Sequence, residues 1–112
     1  MGTGRYSRRM FRHVVLFRWT PDTSAETVDQ IVKGLSACAA ALDVTRSYTC
    51  GPDVGPDASP TPAQDRFDFA VVADFDDRDG WRVYNEDAEH NRLRAELIGP
   101  HIADRVTVQF AY

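Results

Sequence analysis

The chain has 112 residues, a mass of 12.6 kDa and a formal net charge of −4, with 43% hydrophobic and 27% charged residues. That length suits one domain around one core and is too short for two. Charged residues interrupt every apolar stretch well before the ~20 residues that a membrane-spanning helix needs. The acidic balance supplies no global basic field, so neither a membrane nor a nucleic acid is expected as partner.

Residues 1–9 are small, polar and basic, without a period, and read as a flexible tail; the domain is expected over residues 10–112. Phe11 to Trp19 reads as a strand. Phe11, His13, Val15, Phe17 and Trp19 share one face, and Arg12, Val14, Leu16 and Arg18 the other. Both faces carry apolar side chains, so both are expected to be covered. Thr20-Pro21-Asp22 stops the strand. Thr23 and Glu26 have capping-box spacing. Val28, Ile31, Val32, Leu35, Ala39 and Leu42 then form one apolar stripe, which predicts a helix from about Ser24 to Ala41.

Val44 to Cys50 reads as a short strand ending at Gly51. Residues 51–66 are rich in Pro and Gly and read as a long loop, of the kind that is mobile or functional. Phe67 to Phe75 is a second strong strand, with Phe67, Phe69, Val71, Ala73 and Phe75 on one face. Asp76 or Asp77 can cap a short helix running to about Glu86, with Trp81 and Tyr84 on one side. Asn85-Glu86-Asp87 is a weak point for helix. Asp87 can cap a second short helix carrying His90, Leu93 and Leu97, closed by Gly99-Pro100. Val106 to Tyr112 is the last strand.

The order β-α-β-β-α-β predicts an α+β, ferredoxin-like fold, with a four-stranded antiparallel sheet and helices on one side. The other side of the sheet would expose rows of Phe and Val, which is costly in a monomer. A homodimer with two sheets face to face is therefore expected. Cys38 and Cys50 are too few for a disulfide framework, and no apolar signal core precedes the first strand. The chain is read as cytoplasmic, with both thiols buried, reduced and inert.

The side chains that could carry chemistry are few. Tyr84 and His90 stand six positions apart, which on one continuous helix is roughly 120° of azimuth. A break at residues 85–87 would let both aim into the same space. A phenol and an imidazole over a floor containing His13 form an acid–base set, although each also suits a plain core role. His101, in a turn, is given no role. There is no nucleophile elbow, phosphate loop or dinucleotide fingerprint. The run Asp74, Asp76, Asp77 and Asp79 lacks the spacing of a calcium loop and reads as helix-start electrostatics and a solvated edge. Neither a metal nor an organic cofactor is expected.

Five segments together resemble the stress-responsive dimeric α/β-barrel (Dabb) family: His13-Val14-Val15-Leu16-Phe17, Gly51-Pro52-Asp53, Val71-Val72-Ala73-Asp74-Phe75, the stretch from Tyr84 to His90, and Ile102-Ala103-Asp104-Arg105-Val106. The resemblance spans Met10 to Tyr112 and implies a ferredoxin-like subunit paired into a barrel. Its enzymatic relatives are polyketide cyclases of the olivetolic acid cyclase kind, which perform an intramolecular aldol condensation without a cofactor. By that resemblance Tyr84 and His90 match the catalytic pair, and His13 matches the first-strand histidine. Ala88 stands where the family often has proline. The expectation is a cofactor-independent cyclase or lyase acting on a β-keto small molecule. In it Val15, Phe17, Trp19, Trp81, Leu93 and Leu97 line the substrate pocket. Two alternatives share the fold: a non-catalytic dimeric stress-response or ligand-binding protein, and a haem-degrading or other monooxygenase.

Overall fold

The fold follows from two periodicities, two in the strands and 3.6 in the helices, both directed at one side of a single sheet. The computed structural model describes residues 9–55 and 60–112. The strands are β1 (Phe11–Trp19), β2 (Thr45–Pro52), β3 (Phe69–Phe75) and β4 (Ile102–Ala111). They lie in the antiparallel order β2-β3-β1-β4. The helices are α1 (Ala25–Ala40), α2 (Arg78–Glu86) and α3 (Ala88–Leu93), the last followed by a π-type turn over Arg94–Ile98 and a 3₁₀ turn over Gly99–His101. This is the expected α+β ferredoxin-like architecture. The tail expected over residues 1–9 lies outside the described residues except for Arg9. The mobile loop expected over residues 51–66 lies partly outside them, at residues 56–59.

Phe11, Val15 and Phe17 of β1 and Phe69, Val71, Ala73 and Phe75 of β3 are buried on the helix side. The register sets Phe17 beside Phe69, Val15 beside Val71 and Phe11 beside Phe75. Against them α1 packs Ile31 and Leu35, and the second helical region packs Leu93 and Ile98. A second cluster joins Phe11, Ala73, Phe75 and Tyr84. Even-numbered residues of β1 and β3 face the uncovered side. There Asp74, although buried, accepts two hydrogen bonds from Arg12 at 2.7 and 2.8 Å and one from Ser47 at 2.7 Å. These bonds hold its carboxyl below the usual carboxylate range, the Arg12 pair being the larger cause.

Several boundaries differ from expectation, each for a local reason. Ser24, not Thr23, caps α1: its hydroxyl accepts from Thr27 N–H, while the Thr23 hydroxyl lies 2.8 Å from that of Thr20 and 3.3 Å from His101 Nδ1. Phe67 falls outside β3 and lies under the Arg18 guanidinium, 4.6 Å from the ring centroid. β2 runs on to Pro52, because its pairing with β3 continues through Gly51 to Pro52 beside Phe69. β4 begins at Ile102, well before Val106, with a register shift opposite Arg18 and Trp19. Its first residues, Ala103-Asp104-Arg105, carry no apolar alternation by which a strand could be read. Cys38 and Cys50 are free and half-buried rather than fully buried, and burial pushes both thiols up.

The four acidic residues of the second crossover have separate structural tasks. Asp74 pairs with Arg12, Asp76 with Arg46 and Asp79 with Arg82, while Asp77 caps α2 by accepting from Gly80 N–H at 2.9 Å. Asp87 ends α2 in extended conformation and caps α3, accepting from His90 N–H at 2.9 Å. A Cβ at Gly99 would lie 2.9 Å from the Arg94 carbonyl oxygen, so the chain closes after α3 only because that position is glycine. Removing the α3 cap in Asp87→Ala is expected to lower stability by about 1 kcal/mol, while Asp87→Asn, which keeps an acceptor, retains most of it. Chemical denaturation of the two variants checks this.

Candidate active site

Tyr84 comes from α2 and His90 from α3, and the break at Asp87 rotates both toward the sheet. Tyr84 is 3% and His90 4% exposed, and their ring centroids are 4.2 Å apart. His13 projects from the same side of β1, with its ring 6.4 Å from that of Tyr84 and 5.9 Å from that of Trp81. All four residues line one cavity of about 150 Å³ between the sheet and the second helical region. Its inner wall is apolar, formed by Val15, Leu35, Val71 and Ile98.

The hydrogen bonds assign roles to some of these groups. Gln109 Nε2 donates to His13 Nδ1 at 2.8 Å, which leaves the proton of neutral His13 on Nε2. The hydroxyls of Tyr84 and Tyr48 are 3.3 Å apart. His90 Nδ1 and Trp81 Nε1 are buried without a hydrogen-bond partner among the described residues. Buried polar atoms of this kind call for an explanation, and a site for a polar ligand supplies one.

Burial dominates the ionisation of the group. It pushes His90 down to about 4 from its ordinary 6.5, helped by the positive charge of Arg94 and opposed by Asp87. It pushes His13 down to about 4 as well, helped by Arg105 and Arg94. Tyr84 is pushed up to about 12, against a lowering from the Tyr48 hydrogen bond, and burial pushes Tyr48 up too. At neutral pH the cavity therefore holds two neutral imidazoles and two neutral phenols. The neutral imidazoles can accept protons and the phenols can donate hydrogen bonds.

Of the residues singled out in the sequence, His13, Val15, Phe17, Trp81, Tyr84 and His90 line this cavity. Trp19, Leu93 and Leu97 do not. Trp19 packs its ring against Phe17 and Phe69 in the core, with centroids 5.4 and 5.3 Å away, Leu93 is a core residue packed beside Gly34, and Leu97 packs against the same core. The lining also includes Tyr48, Asn85, Arg94, Arg105, Thr107 and Gln109, which sequence reasoning missed. Thr107 and Gln109 are legible only through the register that sets them beside Val15 and His13. Among the described residues no group of three or more His, Cys, Asp or Glu side chains could hold a metal ion.

The family model of the stress responsive A/B barrel domain matches residues 11–111. The chain belongs to this family. It is similar in structure to a dimeric ferredoxin-like protein of unknown function from Thermobifida fusca, with 39% identity over 95% of this chain and 93% of that one and a TM-score of 0.79. It also resembles a hydroxynitrile lyase from Passiflora edulis, at 18% identity over 92% of this chain and 93% of that one, with a TM-score of 0.79. A Dabb protein with a ferredoxin-like fold from Mesorhizobium loti is 14% identical over 92% and 96% of the two chains, with a TM-score of 0.73. None of the curated proteins matches the chain significantly. No helix among the described residues of this family member is long and apolar enough to cross a membrane.

Because both histidines are neutral when folded, the unfolded chain binds more protons between pH 6.5 and about 4. Their contribution to stability is complete above 6.5 and is lost as pH falls toward 4. The melting temperature should drop by several degrees between pH 7 and 4.5, with a shallower slope in His13→Gln/His90→Gln; calorimetry across that range checks it.

Proposed function

We propose that this protein is a homodimeric, cofactor-independent acid–base catalyst of the cyclase or lyase type, acting on a small β-keto compound. The observation that carries this reading is the Tyr84–His90 pair, with rings 4.2 Å apart, at one cavity with His13. A neutral His90 removes a proton from the carbon next to a carbonyl. The Tyr84 hydroxyl donates to the oxygen on which charge develops, while the Tyr48 hydroxyl donates to Tyr84 and leaves the Tyr84 proton free for the substrate. The enolate then attacks a second carbonyl of the same chain, as in an aldol closure. The imidazolium left on His90 is strongly acidic in its buried setting and returns its proton to the new alkoxide. His13, held by Gln109, orients the substrate with its Nε2 proton.

The lyase among the structural neighbours supports the reaction class, and the size of the cavity supports a small substrate. A cavity of about 150 Å³ is of the size that accepts a single aromatic ring. It does not accommodate a porphyrin, so no observation favours the monooxygenase alternative. The space beside Tyr84 and His90 is not filled by the chain's own side chains, which favours occupancy by a small molecule.

The homodimer rests on the uncovered sheet side, where Val106, Val108 and Phe110 are 42%, 58% and 45% exposed. Burying such a row yields about 25 cal/mol per Å² of apolar surface. Neighbours described as dimeric, among them that from Thermobifida fusca, support the same assembly. Light scattering should give twice the chain mass, and Val108→Asp should give the monomer.

Tyr84→Phe and His90→Gln should each leave the fold intact and slow turnover of a small β-keto compound by roughly 10²–10⁴-fold. The double variant should be little slower than the worse single one, because the two groups act as a unit. NMR of α-carbon deuterium exchange and of cyclised product reads both steps. Unchanged rates in both single variants would remove the acid–base assignment.

A further inference from the structure

The cavity has a second chemical character that the acid–base reading does not use. Its lining holds two arginines, Arg94 and Arg105, and no Asp or Glu. This runs against the composition of the chain, in which 17 acidic residues outnumber 13 basic ones. Six other cations, Arg12, Lys33, Arg46, Arg66, Arg82 and Arg92, pair with carboxylates, while Arg9 and Arg18 donate to backbone carbonyls at the surface. Neither cavity arginine has a carboxylate partner among the described residues.

Arg94 is held by neutral oxygens. Its guanidinium donates to the Asn85 carbonyl at 3.0 Å, to Asn85 Oδ1 at 3.3 Å and to Asn91 Oδ1. These bonds fix its direction without cancelling its charge. Arg105 stands on β4 beside Phe17, its side chain without a hydrogen-bond partner among the described residues. The two arginines approach the cavity from different elements, the turn after α3 and the edge strand. Each lowers the proton affinity of His13, so both fields reach the reacting end.

We propose that Arg94 and Arg105 form an anion-binding end of the cavity, and that the molecule seated against Tyr84 and His90 carries a carboxylate. The proposal rests on the acid–base reading for the location of the reacting end. A guanidinium fork matches the two oxygens of a carboxylate and needs no reorganisation to do so. The apolar wall of Val15, Leu35, Val71 and Ile98 suits the body of a small organic acid, whereas a bare inorganic anion would leave that wall empty. A keto acid bound with its carboxylate on the arginines would present its carbonyl and α-carbon to Tyr84 and His90.

The test uses the full chain and benzoate, a single-ring carboxylate, with benzamide as its uncharged counterpart and inorganic phosphate as a third probe. The ring resonances of His13 and His90, assigned with His13→Gln and His90→Gln, report occupancy. Benzoate should shift both saturably and bind about tenfold or more tighter than benzamide, the yield of one charge-assisted contact at a partly exposed site. Arg105→Gln, an exposed position, should remove that advantage and leave benzamide binding unchanged, and Arg105→Lys should restore part of it. Equal binding of benzoate and benzamide, no saturable shift with benzoate, or benzoate affinity unchanged in Arg105→Gln would overturn the proposal. Tighter binding of phosphate than of benzoate would assign the cations to a phosphate-bearing ligand and overturn it too. The measurement needs no turnover. Arginine-dependent benzoate binding together with unimpaired Tyr84→Phe and His90→Gln would refute the acid–base reading alone.

Discussion

Asp87 leaves α2 in an extended conformation, with φ −60° and ψ 130°, and in the same step receives the His90 backbone N–H on its carboxylate. Without that interruption, six helical residues would turn Tyr84 and His90 roughly 120° apart, and only one could meet the sheet. The interruption resets the helical phase, so both rings point at β1 and β3. The cap satisfies an amide that the break would otherwise orphan. The Tyr84–His90 geometry, the burial of both rings and the cavity above His13 all descend from this point. Gly99 plays the complementary part at the far end, letting the chain fold back against the Arg94 carbonyl and enter β4.

The cavity is an electrostatic compromise. Burial alone would leave two weakly basic imidazoles in an apolar slot. Placing Arg94 beside them weakens their basicity further, because a second positive charge nearby opposes imidazolium formation. An arrangement that lowers the basicity of its own base makes physical sense if a negative charge arrives with the ligand. An anionic ligand would be neutralised by the same arginines, and the effect of Arg94 on His90 would be reduced when the proton must move. In the proposed reading, the acid–base groups and the cationic end form one site whose charge balance an anionic substrate would complete.

The two sides of the sheet divide the protein's tasks. On the helix side, alternate residues build a core at one end and a cavity at the other, where β4 carries Arg105, Thr107 and Gln109 in place of apolar residues. On the open side, Val106, Val108 and Phe110 are exposed beside the Arg12–Asp74 pair, in which a partly exposed Arg12 satisfies the buried Asp74 carboxylate within the chain. An apolar row around a satisfied ion pair can be covered by a second sheet without stranding a charge. The edge strand β4 therefore serves the cavity with one face and the proposed dimer with the other.

Much of this was legible in the sequence because it is written in local periodicity. Alternation in Phe11–Trp19 and Phe69–Phe75, the stripe of α1, and the paired caps at Asp77 and Asp87 each depend on neighbours a few positions away, and they suffice for the element order and for Tyr84 and His90 facing inward. Trp19 and Leu97 show the limit. Their phase marks them as apolar and inward, but phase does not say whether the facing space is filled or empty. Whether a residue lines a core or a cavity depends on what packs opposite it. Arg105 and Gln109 show the same limit from the other direction: Arg105 precedes the strand expected from Val106, Gln109 is a polar residue within it, and only the pairing of β4 with β1 brings them to Phe17 and His13. Sequence by itself determined which elements form and which faces they bury, since those follow from short-range spacing. Tertiary structure alone decided where the cavity lies and that it is cationic, since both arise from side chains nearly a hundred positions apart meeting across a strand register.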